Sequence, residues 1–282
     1  MLDNQELNKF ISDALREDVH EGDHSSLASI DKNAQGKARL LVKDNGILCG
    51  MEVAKAVFAK VNANLRVDVH IPEGSIVKYG DVAFHVYGSA ISILTAERLV
   101  LNSMQRMSAI ATKTKMFVDL LAGTQTKILD TRKTTPGIRA IEKWAVKIGG
   151  GENHRFALYD MIMLKDNHID FAGGIPQAIA KTKQYLVDQN KDLKIIVEAR
   201  NLDEVAQILS SGGVYRILLD NFDYETTKKA VEMIGNQSFT ESSGNINERT
   251  IRNYAECGVD YISSGALTHS VYNMDLSLKA ID

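Results

Sequence analysis

The sequence predicts an α/β protein in two parts, a mixed α+β N-terminal region followed by an incomplete (β/α) barrel. Three observations carry this reading. Six short apolar runs recur in the second half, each ending in a polar residue and each followed by a helical segment: Lys127–Asp130, Met161–Lys165, Ile195–Glu198, Ile217–Asp220, Phe239–Ser242 and Tyr261–Ser264. Their markers Arg132, Lys165, Glu198, Asp220, Ser242 and Ser264 stand 33, 33, 22, 22 and 22 residues apart, the repeat that parallel strands with crossover helices require. No Gly-x-Gly-x-x-Gly turn follows any run, which favours a barrel over a dinucleotide-binding sheet. Six clear strands, with room for a seventh, fall short of a full set of eight.

Taken in order, the elements support this division. Glu6–Leu15 reads as a short helix with Leu7, Phe10, Ile11 and Ala14 on one face. Ala38–Val42 reads as a strand that meets the turn Asp44-Asn45-Gly46 and continues into Ile47–Cys49. Glu52–Val61 is helical again, with Val53, Ala54, Val57, Phe58 and Val61 at helical spacing. Two alternating strands follow around Leu65–Ile71 and Val82–Tyr87, joined through Pro72-Glu73-Gly74 and Tyr79-Gly80-Asp81. From Leu94 to Leu121 a long helix is predicted, free of Pro and Gly, with Gly123 just past its end as a cap. It is a natural connector between the halves, and its wide, Met-rich stripe suits a dimer contact.

The later helices carry their own punctuation. Pro176 stands in the first turn before Gln177–Val187. Asn201 precedes a helix with Glu204 placed for a capping box. Asp223 opens a helix that stops at Gly235, and Asn247 opens one that stops at Gly258.

Composition narrows the partners. The 282 residues include 33 Lys+Arg and 36 Asp+Glu, a formal charge of −3, with 44% hydrophobic and 24% charged residues. Such a balance argues against a polyanion such as nucleic acid and leaves small anions met by a local cluster. The opening MLDNQELNKF lacks the apolar core of a secretory signal, and no apolar run is long enough to span a bilayer. Cys49 and Cys257 are far apart and form no C-x-x-C pair, so neither zinc nor a disulfide framework is signalled. A cytoplasmic protein that binds no membrane is expected.

In a barrel of this kind the chemistry gathers at the carboxyl ends of the strands. The first two ends are basic, with Arg132 and Lys133 and then Lys165. The next two are acidic, Glu198 and Asp220, and the last two are Ser242-Ser243-Gly244-Asn245 and Ser263-Ser264-Gly265-Ala266. Glycine turns at adjacent strand ends let backbone N–H groups approach a phosphate. The acidic pair could hold Mg²⁺, directly or through water, accept from ribose hydroxyls, or stabilise positive charge on a sugar carbon. Between Lys127 and Lys165 eight Lys and Arg face four carboxylates, with His154 in addition. Gly149-Gly150-Gly151 reads as backbone that must pass close to something.

These residues carry a resemblance. The strings ERLVLNSMQRMSAIAT, ILDTRKTTPGIR, KWAVKIGGGENHR, MLKDNHI, VEARN, LLDN, ESSGNI and VDYISSGALTHS resemble the quinolinate phosphoribosyltransferases, the carboxylating nicotinate-nucleotide pyrophosphorylases. The likeness covers nearly the whole chain, including EDVHEGDHSS near its start, and DTRKTTPGIR followed by GGGENHR is highly specific. It implies an N-terminal α/β sandwich domain over 1–110 and an incomplete α/β barrel over 111–271, with the tail 272–282 packing back on the first domain. The implied reaction joins quinolinate and phosphoribosyl pyrophosphate, with Mg²⁺, to give nicotinate mononucleotide, CO₂ and pyrophosphate, a step of de novo NAD biosynthesis.

The resemblance also implies roles. Thr131, Arg132, His154, Arg155 and Lys165 would hold quinolinate, joined by Arg98 from the neighbouring subunit of a homodimer. Lys133, Glu198 and Asp220 would be catalytic and meet phosphoribosyl pyrophosphate or its metal. Ser243, Gly244, Asn245, Ser264, Gly265 and Ala266 would cradle its 5′-phosphate. Two other readings compete: a paralogue of the same fold acting on a different base, and a non-catalytic anion-binding barrel. His154-Arg155 argues against the first, and Glu198 and Asp220 beside two glycine turns argue against the second.

Overall fold

The computed structural model describes residues 4–281; Met1–Asp3 of the polar opening and Asp282 of the tail lie outside them. The chain runs α1 (Asn4–Asp18), α2 (His24–Ser29), β1 (Gln35–Val42), β2 (Gly46–Ile47), α3 (Met51–Val61), β3 (Arg66–Val69), β4 (Ile76–Val77), β5 (Val82–Ser89) and α4 (Ala90–Leu120). Then come β6 (Lys127–Leu129), α5 (Arg139–Ile148), β7 (Ile162–Leu164), α6 (Asp166–Ala172), α7 (Ile175–Asp188), β8 (Ile195–Ala199), α8 (Leu202–Ser211), β9 (Arg216–Asp220) and α9 (Tyr224–Ile234). The last elements are β10 (Phe239–Ser243), α10 (Ile251–Ala255), β11 (Tyr261–Ser263), α11 (Ala266–His269) and β12 (Leu276–Ile281).

Two compact units result, one of Met1–Lys115, Thr134–Gly150 and Leu267–Asp282, the other of Met116–Lys133 and Gly151–Ala266. The division keeps the C-terminal tail with the first unit and differs from the expected boundary at 110/111 in where Thr134–Gly150 falls. That stretch, inside the expected barrel span, belongs with the first unit. Local bonds explain its allegiance. The buried Glu142 of α5 accepts from Arg106 Nε at 2.9 Å, and a Cβ on Gly149 would stand 2.6 Å from Thr114 Cβ. The close passage foreseen for the glycine run is thus, at Gly149, an approach to α4.

In the first unit an antiparallel sheet is ordered β12-β1-β5-β3. Alternation along β1 and β5 buries Ala38, Leu40, Val42, Phe84 and Val86, and Phe58 of α3 meets Phe84 edge to face at 5.9 Å. The turn at Asp44-Asn45-Gly46 does not fold the following strand onto β1. Both edges of β1 are already taken, by β12 and by β5, so β2 pairs with β4 in a separate two-stranded ladder. Two methionines of the α4 stripe are core, Met104 and Met107, both fully buried, with a Cβ on Gly50 3.2 Å from Met104, while Met116 is exposed. Those two methionines are therefore not available to a dimer contact. Cys49 and Cys257 are free and buried.

In the second unit six strands, all parallel, are ordered β6-β11-β10-β9-β8-β7. Apart from β6, which pairs with the last strand, this is chain order read backwards. The sheet thus closes as a barrel would, except at one seam between β6 and β7. Part of that edge is met by Glu152, whose N–H donates to Ile128 O at 2.9 Å while its carbonyl accepts from Asp130 N–H at 3.1 Å. The strands are short and mostly apolar, as buried parallel strands should be, except β10, whose Thr240, Glu241 and Ser242 are buried polar residues. Helix starts follow the sequence closely but not everywhere. Asp223 and Asn201 cap α9 and α8 by accepting from Thr226 and Glu204 N–H groups. Glu204 does not complete a capping box; it reaches one residue further back and accepts from Arg200 N–H at 2.7 Å. Asn247 is taken up by a turn through its side chain and Arg249 N–H at 2.9 Å, so α10 starts only after Thr250.

Candidate active site

Strand pairing fixes which side chains share a face. In the ladder Glu198 is opposite Leu218, Leu218 opposite Glu241, and Asp220 opposite Ser243. Period-two alternation then sets Met163, Ile196, Glu198, Leu218, Asp220, Glu241 and Ser243 on one side of the sheet. Met163, Ile196 and Leu218 pack into one apolar cluster with Met161 against it. The polar residues at the strand ends follow directly on that cluster.

At the β7 and β8 ends, Lys165 Nζ lies 3.1 Å from Glu198 Oε2. Glu198 is buried and Lys165 exposed, so the carboxylate is held inside and presented from one side. Asp220 closes β9 and accepts from Asn221 Nδ2 at 2.9 Å. Among the described residues no group of three or more His, Cys, Asp or Glu is placed to hold a metal ion. Two carboxylates at adjacent strand ends still fit Mg²⁺, which keeps waters and substrate phosphates among its ligands instead of needing a protein cage.

The glycine turn after β10 is built against the turn after β9. Gly244 has φ +98° and Asn245 φ +50°, and Asn221 across from them has φ +55°. Asn221 N–H donates to Ser243 O at 2.9 Å, and a Cβ on Gly244 would collide with the Asn221 side chain. The second turn is anchored differently. Ser264 N–H donates to Leu129 O at 3.0 Å, and its hydroxyl turns inward to Ile246 O at 3.3 Å. Gly265 and Ala266 follow, half-buried.

The cationic side is assembled around Asp130, which is fully buried. Its carboxylate accepts from Asn153 Nδ2 at 2.6 Å and from His154 N–H at 2.8 Å, fixing the chain where it passes the end of β6. Arg155 is buried too and donates to Met161 O at 3.1 Å. Burial and the neighbouring charge of Arg132 both lower the Arg155 guanidinium from its ordinary value, against a smaller opposing effect of Asp160. Arg132 and Lys133 are exposed, with Lys133 N–H bonded to Thr131 Oγ1 at 3.0 Å. Arg98 is exposed on α4, in the first unit.

His154 is placed otherwise than as a simple member of that set. Its Nδ1 accepts from Arg155 N–H at 2.7 Å, and its Nε2 lies 3.3 Å from Glu241 Oε2. Arg216 Nη1 donates to the same oxygen at 2.7 Å. Burial alone would raise the Glu241 carboxyl, but the hydrogen bond and charge of His154, with the Arg216 guanidinium and Ser263, bring it down to about 2. Glu241 and Arg216 carry no sequence signal beyond their inward parity on a strand; Asp130 and Asn221 stand inside the motifs DTRK and LLDN without marking themselves as structural.

Comparison with known proteins agrees with this architecture. A family model described as quinolinate phosphoribosyl transferase, C-terminal domain, matches residues 110–279, and one described as its N-terminal domain matches 23–108. The chain is 43% identical over 289 residues to a chloroplastic nicotinate-nucleotide pyrophosphorylase (carboxylating) of Oryza sativa subsp. japonica, covering 97% of this chain and 77% of that protein. It is 37% identical to a probable nicotinate-nucleotide pyrophosphorylase (carboxylating) of Bacillus subtilis (strain 168), covering 97% and 93%. The crystal structure of NadC from Streptococcus pyogenes superposes with a TM-score of 0.93 at 38% identity, covering 100% of this chain and 99% of that one.

Proposed function

The chain belongs to the quinolinate phosphoribosyltransferase family, and from that premise we propose how its strand ends divide the work. The enzyme transfers the phosphoribosyl group of phosphoribosyl pyrophosphate to quinolinate with decarboxylation, giving nicotinate mononucleotide, CO₂ and pyrophosphate. One observation supports the division of roles best: Lys165 Nζ lies 3.1 Å from Glu198 Oε2 at the same strand ends that present Asp220 and the Gly244 turn.

In this reading Arg132, Arg155 and Lys165, with Thr131, hold the two ring carboxylates. The guanidinium groups suit planar two-pronged contacts, and Lys165 serves as a point charge. The turns Ser243-Gly244-Asn245 and Ser264-Gly265-Ala266 receive the 5′-phosphate. Lys133 meets the pyrophosphate, and Glu198 and Asp220 face the ribose and, directly or through water, Mg²⁺. When bound, Mg²⁺ supplies charge neutralisation to the departing pyrophosphate.

The quinolinate ring nitrogen attacks the anomeric carbon as the bond to pyrophosphate breaks. Positive charge develops on the sugar, and the carboxylates of Glu198 and Asp220 stabilise it. The ring nitrogen becomes cationic and draws in the electron pair released when the adjacent carboxylate leaves as CO₂; a proton then replaces it on carbon. This needs little from a general acid, so holding the two substrates in line is the main task. A homodimer in which Arg98 of one protomer enters its neighbour's site completes the proposal. Arg98 is exposed on α4, one helical turn from the exposed Leu94, as a residue serving another copy would be.

The direct test is release of labelled CO₂ from carboxyl-labelled quinolinate with phosphoribosyl pyrophosphate and Mg²⁺, and its loss on adding EDTA. Product should appear as nicotinate mononucleotide in equal amount. No release over a range of pH and Mg²⁺ would overturn the activity; release unaffected by EDTA would remove the metal.

A further inference from the structure

We propose that Glu241 is a positioning residue for quinolinate: backed by Arg216, it orients the His154 ring and through it the Arg155 segment that receives a ring carboxylate. The inference rests on Arg155 being a quinolinate ligand.

The geometry runs as a chain through the inside of the second unit. Arg216 lies with its guanidinium carbon 4.2 Å over the Tyr261 ring and donates to Glu241 Oε2 at 2.7 Å. That same oxygen lies 3.3 Å from His154 Nε2. On the far side of the ring, Nδ1 accepts the Arg155 N–H at 2.7 Å, so the ring proton belongs on Nε2 and faces Glu241. Nδ1 thus accepts a hydrogen bond, and Nε2 stands at ion-pair distance from Glu241. His154 couples what lies beneath it to the backbone of Arg155, while Asp130 fixes its own N–H.

Stability alone does not explain why charges are kept here. Glu241 is fully buried, Arg216 nearly so, and neighbouring inward positions are filled by Met163, Ile196 and Leu218. Desolvating such a pair offsets most of its attraction, and apolar replacements of similar volume are commonly as stable or more so. What an apolar core cannot do is aim an imidazole. The 2.7 Å charged bond from Arg216 holds the carboxylate that the ring faces.

Equilibrium dialysis of labelled quinolinate against the full-length protein reads the proposal independently of turnover. Glu241→Gln keeps the shape and removes the charge. It should weaken quinolinate about tenfold, while the KM for phosphoribosyl pyrophosphate stays within about twofold. Should Glu241→Gln leave Arg216 too costly to fold, the double variant Glu241→Gln with Arg216→Gln leaves no lone buried charge and should show the same split. A merely structural role would lower the active fraction and leave both affinities of the folded protein unchanged; that outcome, or an equal loss for both substrates, overturns the proposal. Wild-type protein that binds quinolinate but releases no CO₂ would overturn the activity, and the dialysis would still decide the role of Glu241.

Discussion

At the scale of single residues, the glycine turn after β10, proposed to receive the 5′-phosphate, depends on what is missing from Gly244. Its φ of +98° and the Asn221 side chain lying where a Cβ would go leave room for no other residue. Gly244→Ala should cost about 1–3 kcal/mol in a denaturant titration, the usual range for forced backbone strain. Its kinetic effect should fall on the KM for phosphoribosyl pyrophosphate and spare that for quinolinate; the reverse pattern would reassign the turn. The glycine was legible from the sequence because two such turns stand 22 residues apart at adjacent strand ends, where one alone would read as an ordinary turn. Its partner was not: in LLDN, Asn221 reads as the residue after a strand, and only the fold shows that it supports the next turn. Glu241 was hidden for a similar reason. A single acid in Phe239–Ser242 has the same local signal whether it faces solvent or sits inside a barrel.

At the scale of elements, five of the parallel strands were visible as apolar runs closed by a polar residue, and the mostly polar Phe239–Ser243 fell at the same 22-residue interval. Two-residue strands such as β2 and β4 have no period to detect, and their pairing followed from β1 having both edges occupied. The allegiance of helix α5 was not visible, since that is decided by bonds distant in sequence. Glu142 carries those bonds: it accepts from Arg106 Nε and Nη2 at 2.9 and 2.8 Å and from Thr135 N–H at 3.0 Å. Arg106 in turn reaches the Thr268 carbonyl. Removing one side of a buried ion pair typically costs about 3–5 kcal/mol. Glu142→Ala should therefore lower the unfolding free energy by that order, measured by denaturant titration. A loss below about 1 kcal/mol would mean that water replaces the carboxylate freely.

At the scale of the whole molecule, the net charge of −3 conceals a strongly cationic stretch, and the proposed completion of the site by Arg98 makes the functional unit a pair of chains. Mixing Arg98→Ala protein with Lys165→Ala protein, each inactive alone, should restore about a quarter of wild-type turnover, since random exchange leaves one intact site in half of the dimers. Failure to complement, with mixed dimers shown by mass spectrometry, would confine Arg98 to its own chain. Among the described residues no helix is long and apolar enough to cross a membrane.

The strand pairings of both sheets have a consequence for how the chain reaches this state. Lys37 of β1 pairs with Ile281, and Lys127 of β6 pairs with Tyr261. Each sheet thus takes in a strand from near its own start and one from the far end of the sequence. The entropy of closing such large loops is spent before either ladder is complete. Refolding should therefore be slow and all but simultaneous in the two units, because the segment that finishes one, Leu276–Ile281, follows closely on the segment that finishes the other.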